Sequence, residues 1–288
     1  MNEPLDEEYV IQLDDSPPFS WIKAIPERFM SCGPPRKGNI TVFTDGPLYS
    51  IAKMAEDILG DERITVVKGY KPGSSPGFKV IISHDGESRD AVPFIRNSGE
   101  KGMVVSVGGT IKRVAKENGW EYQSLPRGYP MKFLMPEIAG CLLSLGGFSL
   151  DYSSLSTFVN SLLPSSLSTE NVSKRLARQL GNGGILFVYD RRSLGLSKRF
   201  VELLKMNSKV EAVAVDKNDA SKIAGQGSNV NIISFCKDVK SSSNFSAWDF
   251  PYPCDDPYGY LKNAIIAEFS SIYLSLLLGI DTELVDIE

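Results

Sequence analysis

Six consecutive residues, Ser83-His84-Asp85-Gly86-Glu87-Ser88, concentrate groups that could do chemistry. Two hydroxyls around a glycine can hold a phosphate through side-chain and backbone donors. Asp85 between them opposes that use. Two negative charges ~4 Å apart repel by about 4 kcal/mol at an effective dielectric near 20. One or two hydroxyl hydrogen bonds return only about 0.5–3 kcal/mol each. A dianion is therefore held weakly unless Asp85 turns away, is protonated, or pairs with a cation; Arg89 and His84 are its neighbours in sequence. His84 is of the right type for a general acid or base, with a solvated loop histidine as its simpler role.

The turn gains weight from its setting. Val80, Ile81 and Ile82 read as a buried parallel strand, and a helix follows with Ser88 as N-cap and Val92 and Ile95 on its apolar side. In open parallel sheets, ligands bind beyond the carboxyl ends of the strands. Asp45 and Gly46 occupy a similar turn after the strand candidate Asn39–Thr44. Asp45 and Asp85 could bind a cation or a pair of polyol hydroxyls, or simply cap the helices that follow. Ser83 and Ser88 divide in the same way between ligand contacts and turn or cap roles.

Strand and helix patterns alternate around these turns. Strands are expected at Arg63–Lys68, Gly102–Val107 and Glu121–Leu125, and helices at Leu48–Leu59, Thr110–Asn118 and Met131–Leu145. The second half opens on two helices, Ser154–Leu163 and Ser168–Leu180. Strands at Gly184–Tyr189, Val210–Val215 and Val230–Phe235 follow, with a helix at Leu194–Met206 and a closing helix at Pro257–Gly279. Such alternation implies α/β architecture with parallel sheets and right-handed crossovers. Three segments are expected: an N-terminal arm over 1–38, Pro-rich but with apolar residues that could clamp it down, a first subdomain over 39–150 and a second over 151–288. Ser241–Asp256 reads as a polar loop carrying Trp248, Phe250 and Tyr252, either an aromatic lid or packing at a seam.

Composition narrows the function classes. The 288 residues carry a formal net charge of -4 with no dense Lys/Arg run, so no nucleic-acid partner is expected. The longest apolar tract, Ala264–Leu278, is interrupted by Glu268 and too short to span a bilayer, so no membrane partner is expected either. The acidic N-terminus lacks the basic start and apolar core of a signal peptide, and a cytoplasmic protein is expected. Cys32, Cys141, Cys236 and Cys254 form no C-x-x-C pair. Cys141 reads as a small buried residue; Cys236 and Cys254 read as free thiols, with a disulfide between them left open. No metal site and no cofactor are expected, since the G-x-G-x-x-G fingerprint is missing.

Ser83, Gly86 and Ser88 after a strand resemble the Ser-x-Ser-Gly-x-Thr phosphate loop of sugar isomerase (SIS) domains. Further segments are similar in order: Val104–Val114, with Gly108-Gly109-Thr110 between strand and helix; Leu125–Glu137, with Pro126-Arg127-Gly128 and Lys132; and Tyr273–Asp281. The closest resemblance is to the dual-specificity phosphoglucose/phosphomannose isomerases. It implies two SIS-like (flavodoxin-like) subdomains, each a parallel sheet flanked by helices, a sugar or sugar-phosphate ligand, and a homodimer.

The chemistry of that subfamily carries over only in part. Its first phosphate turn corresponds to Thr44-Asp45-Gly46-Pro47-Leu48, with one glycine kept and Pro47 lacking an N–H. Its middle loop serine is Asp85, and its arginine aligns with Lys132, which keeps the charge and loses the planar fork. Its catalytic glutamate aligns with Met206, which cannot take a proton. Its ring-opening histidine falls near Asp219 or Ala220, and its terminal lysine falls beyond Glu288. The resemblance thus implies ligand contacts at Gly46, Ser83, Asp85, Gly86, Ser88 and Lys132 with little or no conventional isomerase activity. Two alternatives stand beside it. One is an active aldose–ketose isomerase with a relocated base, for which Glu137, Glu202 and His84 are candidates. The other is a non-enzymatic dimeric regulatory or interaction protein. Lys132 and Glu137 could equally lie on the solvated face of their helix.

Overall fold

The computed structural model describes residues 4–70, 77–149, 151, 153–181, 184–224, 230–235 and 245–281. Contacts divide the chain into two compact units, Arg28–Leu150 and Met1–Glu27 with Asp151–Glu288. Each is built on one parallel sheet, as the alternation of apolar strands and amphipathic helices requires.

The Arg28–Leu150 unit carries β1 (Ile40–Thr44), β2 (Ile64–Lys68), β3 (Phe78–Ile82), β4 (Gly102–Ser106) and β5 (Glu121–Ser124), in the order β2-β1-β3-β4-β5, all parallel. Every residue of β1 and β4 is buried, as expected of strands covered by helices on both faces. Phe43, Ile81 and Val104 on the sheet pack with Phe94, Ile111 and Trp120. Pro47 starts the Gly46–Leu59 helix, where a missing N–H costs nothing. The expected Met131–Leu145 helix divides into a 3-10 turn, Met131–Phe133, and the Met135–Gly146 helix, which ends on Gly147 in the left-handed region at φ 88°. That helix corrects one reading of the cysteines: Cys141 is bonded to Cys32 in a disulfide, not a lone buried thiol. The Cys236–Cys254 pairing lies outside the described residues because Cys236 does.

The other unit carries β6 (Gly184–Tyr189), β7 (Ala212–Asp216), β8 (Val230–Ser234) and β9 (Phe245–Asp249), in the order β7-β6-β8-β9, again parallel. β9 corrects the reading of Ser241–Asp256 as a loop, and the Lys217–Ala224 helix has no counterpart among the expected elements. The Pro257–Leu277 helix is buried on nearly all sides from Gly259 to Ser275. The N-terminal segment supplies part of its cover, with Phe19, one of the apolar residues expected to clamp it down, 6.2 Å from Phe269 and 5.2 Å from Tyr273; the segment forms short helices. Asp6 accepts from Lys174 Nζ at 2.9 Å and from Ser168 Oγ at 2.7 Å. Two more charges are buried against this helix, Arg199 donating to Glu268 Oε1 from Nε and Nη2 at 3.0 and 2.7 Å.

Candidate functional site

The strand order of the first sheet reverses between β1 and β3, and the polar turn of 83–88 begins where β3 ends. This is where an open parallel sheet leaves a crevice. The turn is locked to its neighbour after β4. Val107 N–H donates to His84 O and Ile111 N–H to Gly86 O, both at 2.9 Å. Gly86 has φ 76°, and a Cβ there would lie 2.0 Å from Gly108 O, so only glycine allows this approach. Its place in the turn is therefore fixed by backbone packing, whatever it does for a ligand.

The carboxylates of the turn bind the turn itself. Asp85 Oδ1 accepts from Glu87 N–H at 2.9 Å, an Asx turn that leaves the side chain exposed and off any helix end. Glu87 Oε1 accepts from Thr110 N–H at 3.0 Å. The first turn of the Gly109–Glu117 helix, where a phosphate could have been held, thus already faces a carboxylate of the chain. Ser88 lies ahead of the Ala91–Asn97 helix, and its Oγ accepts from Ala91 N–H at 3.4 Å.

Tyr70 joins the remaining groups. It follows β2 by two residues and is 6% exposed. Its hydroxyl donates to Ile82 O at 2.8 Å, and the side chains of Asp45, Ser83 and Ser88 lie near it. Burial first, and then the Asp45 charge, push its pKa far up, so the hydroxyl stays protonated. Asp45 makes no side-chain cap on the Gly46–Leu59 helix; its charge lies near the Tyr70 hydroxyl. Gly46, at φ 53°, faces open space. Of the residues singled out from sequence, Ser83 and Ser88 are brought together with Asp45, through a tyrosine that no sequence motif marks. The signal lies in the order of the sheet, because β2 neighbours β1 and its end reaches the same edge as β3.

Glu137 has a different setting. Arg28 grips it at two points, Nε to Oε1 at 2.7 Å and Nη2 to Oε2 at 2.9 Å, and also donates to Phe133 O at 2.6 Å. The guanidinium carbon lies 3.9 Å from the Tyr129 ring centroid. Burial raises the Glu137 carboxyl against the opposing pull of Arg28. Lys132 and Glu137 are both buried, at 1% and 3% exposure, so neither is on a solvated helix face. Lys132 Nζ lies 5.5 Å from the Phe133 ring. His84 is half-buried in the turn. Glu202 is half-buried on the Leu194–Leu203 helix of the other unit. Met206 sits in the π turn Leu204–Ser208 that follows, anchored by Asn207 Nδ2 to Ser271 Oγ at 2.8 Å and Ser208 Oγ to Ser271 O at 2.7 Å. Among the described residues, no group of three or more His, Cys, Asp or Glu could hold a metal ion, and no helix is long and apolar enough to cross a membrane.

No protein-family model matches the chain. A D-glucosamine-6-phosphate 4-epimerase from Sulfolobus acidocaldarius is 26% identical over 142 residues, a stretch spanning 46% of this chain and 45% of that protein. A glucose-6-phosphate isomerase-like protein from Thermus thermophilus superimposes with a TM-score of 0.68 at 12% identity, covering 98% of this chain and 95% of that one. A hypothetical protein from the same organism gives 0.68 at 13% identity, covering 96% and 90%. The polar turn at the carboxyl edge of a parallel sheet, the two sheets and these likenesses agree: the chain has the SIS-type, sugar-isomerase-like fold.

Proposed function

We propose that the protein binds a hexose or hexosamine phosphate and carries out little or no conventional aldose–ketose isomerisation. The observation that carries the loss of isomerisation is the Tyr70 hydroxyl near Ser83, Ser88 and Asp45, which crowds the place a substrate phosphate would take at the first edge. The Glu87 carboxylate on the Thr110 N–H works in the same direction. Isomerisation also needs a base to move a proton between C1 and C2. Met206 supplies none, and Arg28 holds Glu137 at both oxygens. The ligand class rests on the fold and on the partial likeness to an enzyme of glucosamine 6-phosphate. We further propose a homodimer, checked by light scattering on the purified chain, and a cytoplasmic location, against which the Cys32–Cys141 disulfide stands and which thiol titration of the protein in cell extract checks.

A second reading has one observation in its favour. Burial raises the Glu137 carboxyl, the direction a general base near neutrality needs. One experiment separates the readings. The protein is titrated with glucose, mannose, fructose and glucosamine 6-phosphates by thermal shift, and turnover is measured by a coupled assay. A ligand at ~100 times its dissociation constant adds about 2.7 kcal/mol. Stabilisation without interconversion is expected. Turnover lost on Glu137→Gln or Glu202→Gln would establish the relocated base. Failure of every phosphosugar to bind would leave an interaction protein.

A further inference from the structure

Both sheets are open, so each has outermost strands with one side paired to no other strand. Such an edge offers a row of free N–H and C=O groups to any extended chain, and natural proteins guard it with charges, Pro or a cover. In the first sheet the guards are present. β5 reads Glu-Tyr-Gln-Ser, with Glu121 ion-paired to Arg36. β2 ends on Lys68, its one exposed residue. In the second sheet β7 is an edge without them. It reads Ala-Val-Ala-Val-Asp, with no charge before the last residue. Val213 is 58% exposed, the most exposed large apolar residue among those described. Among the described residues, no backbone hydrogen bond from a loop or cap ends on Ala212–Asp216.

The apolar face of the sheet runs out to this edge. Register places Val213 beside Leu186 of β6 and Val215 beside Val188. Leu186 and Val188 are buried in a cluster with Ala220 and Ile232, against which Val215 packs. Residues in register on neighbouring strands share a face, so Val213 and Val215 prolong this apolar row until it stops at solvent. Glu211 and Lys217, immediately before and after β7, are both exposed.

We propose that the outer edge of β7 is the surface where two copies of this chain join, antiparallel about a two-fold axis at Ala214. The inference rests on the homodimer reading above and names its surface. Geometry limits the registers. Opposed residues in an antiparallel ladder alternate between hydrogen-bonded and non-hydrogen-bonded pairs, while a two-fold axis makes equivalent pairs identical. The axis therefore passes at a residue that faces its own copy. At Val213 it sets Glu211 of one copy against Val215 of the other, and at Val215 it sets Lys217 against Val213. At Ala214 it sets Val213 against Val215 and Glu211 against Lys217, each twice over. Of the three, that register pairs apolar with apolar and acid with base. A second copy is the occupant that brings both complements at once, and the two sheets become one that runs through both chains.

Sedimentation of the purified chain and its variants tests this. The wild type should be a dimer. Val213→Lys puts a charge beside the axis, on a side chain already exposed in the single chain, and should weaken association roughly tenfold or more. Glu211→Lys should weaken it less, and Glu211→Lys with Lys217→Glu should restore it. Ala214→Cys should give a disulfide-linked dimer on air oxidation where the wild type gives none, since directly opposed Cα atoms lie about 4.5–5.5 Å apart, within disulfide reach. An unchanged far-ultraviolet dichroism spectrum confirms that each variant folds. A dimer that keeps its affinity in Val213→Lys and gives no link through Ala214→Cys would overturn the edge and leave the homodimer reading standing. A wild type that is a monomer throughout would overturn both.

Discussion

Two carboxyl edges of two parallel sheets, with the same reversal of strand order, have different contents. At the first, between β1 and β3, the chain fills the crevice with its own groups: the Tyr70 hydroxyl among Asp45, Ser83 and Ser88, and the Glu87 carboxylate on Thr110 N–H. At the second, between β6 and β8, charged side chains border a cavity whose walls are held from behind by Ser193 and Asn263. Topology supplies a crevice in both places. Whether it is a site depends on how much of the crevice the chain's own side chains fill, and a loop motif alone cannot say.

The comparison can be broken by substitutions of graded effect. The largest is expected from Arg28→Ala, which leaves Glu137 buried without its two-point partner. Removal of one member of a buried pair costs about 3–5 kcal/mol, read as a lower urea midpoint. Gly86→Ala attacks the lock between the first turn and Gly108, where a Cβ would lie 2.0 Å from a carbonyl oxygen at φ 76°. A loss of about 3 kcal/mol is expected, and a nearly neutral effect would mean the turn is not locked. Asp6→Asn probes the unit that carries the second edge. Burial raises the Asp6 carboxyl, but its bonds to Ser168 and Lys174 outweigh that and hold its pKa below 3.8. A depressed carboxyl stabilises the fold above its unfolded value and loses that contribution as pH falls through the folded one. The stability gap between wild type and Asp6→Asn should therefore be full near neutrality and close progressively below pH 3.8. Tyr70→Phe removes one buried hydroxyl from the first edge and should cost about 1–2 kcal/mol, with phosphosugar affinity unchanged.

Much of this is legible in the sequence. The apolar runs of β1, β3, β4, β6 and β8 and the turns after them mark two parallel sheets, because strands covered on both faces have to be apolar throughout. β9 is not legible: Phe-Ser-Ala-Trp-Asp interleaves polar residues and follows a serine run. The Lys217–Ala224 helix is short and polar. The disulfide joins cysteines 109 residues apart, a separation from which no pairing follows. At the candidate site, the residue types can be read from the sequence and their engagement cannot. Asp85 reads as a repulsive charge or a cap and forms an Asx turn; Lys132 and Glu137 read as a site mouth or a solvated face and are buried. Tyr70 reaches Ser83 and Ser88 only through the sheet order, which no local pattern encodes. The second edge repeats the same grammar of strand, polar turn and helix at Gly184–Leu194, but the cations bordering its cavity, Arg192 and Lys217, come from two separate turns.

Hydrogen exchange on the wild-type chain, with and without saturating glucosamine 6-phosphate, tests the central contrast most directly. Unchanged exchange in the peptide covering 83–88 is the predicted result. Slowing there would contradict it and place the ligand at the first edge.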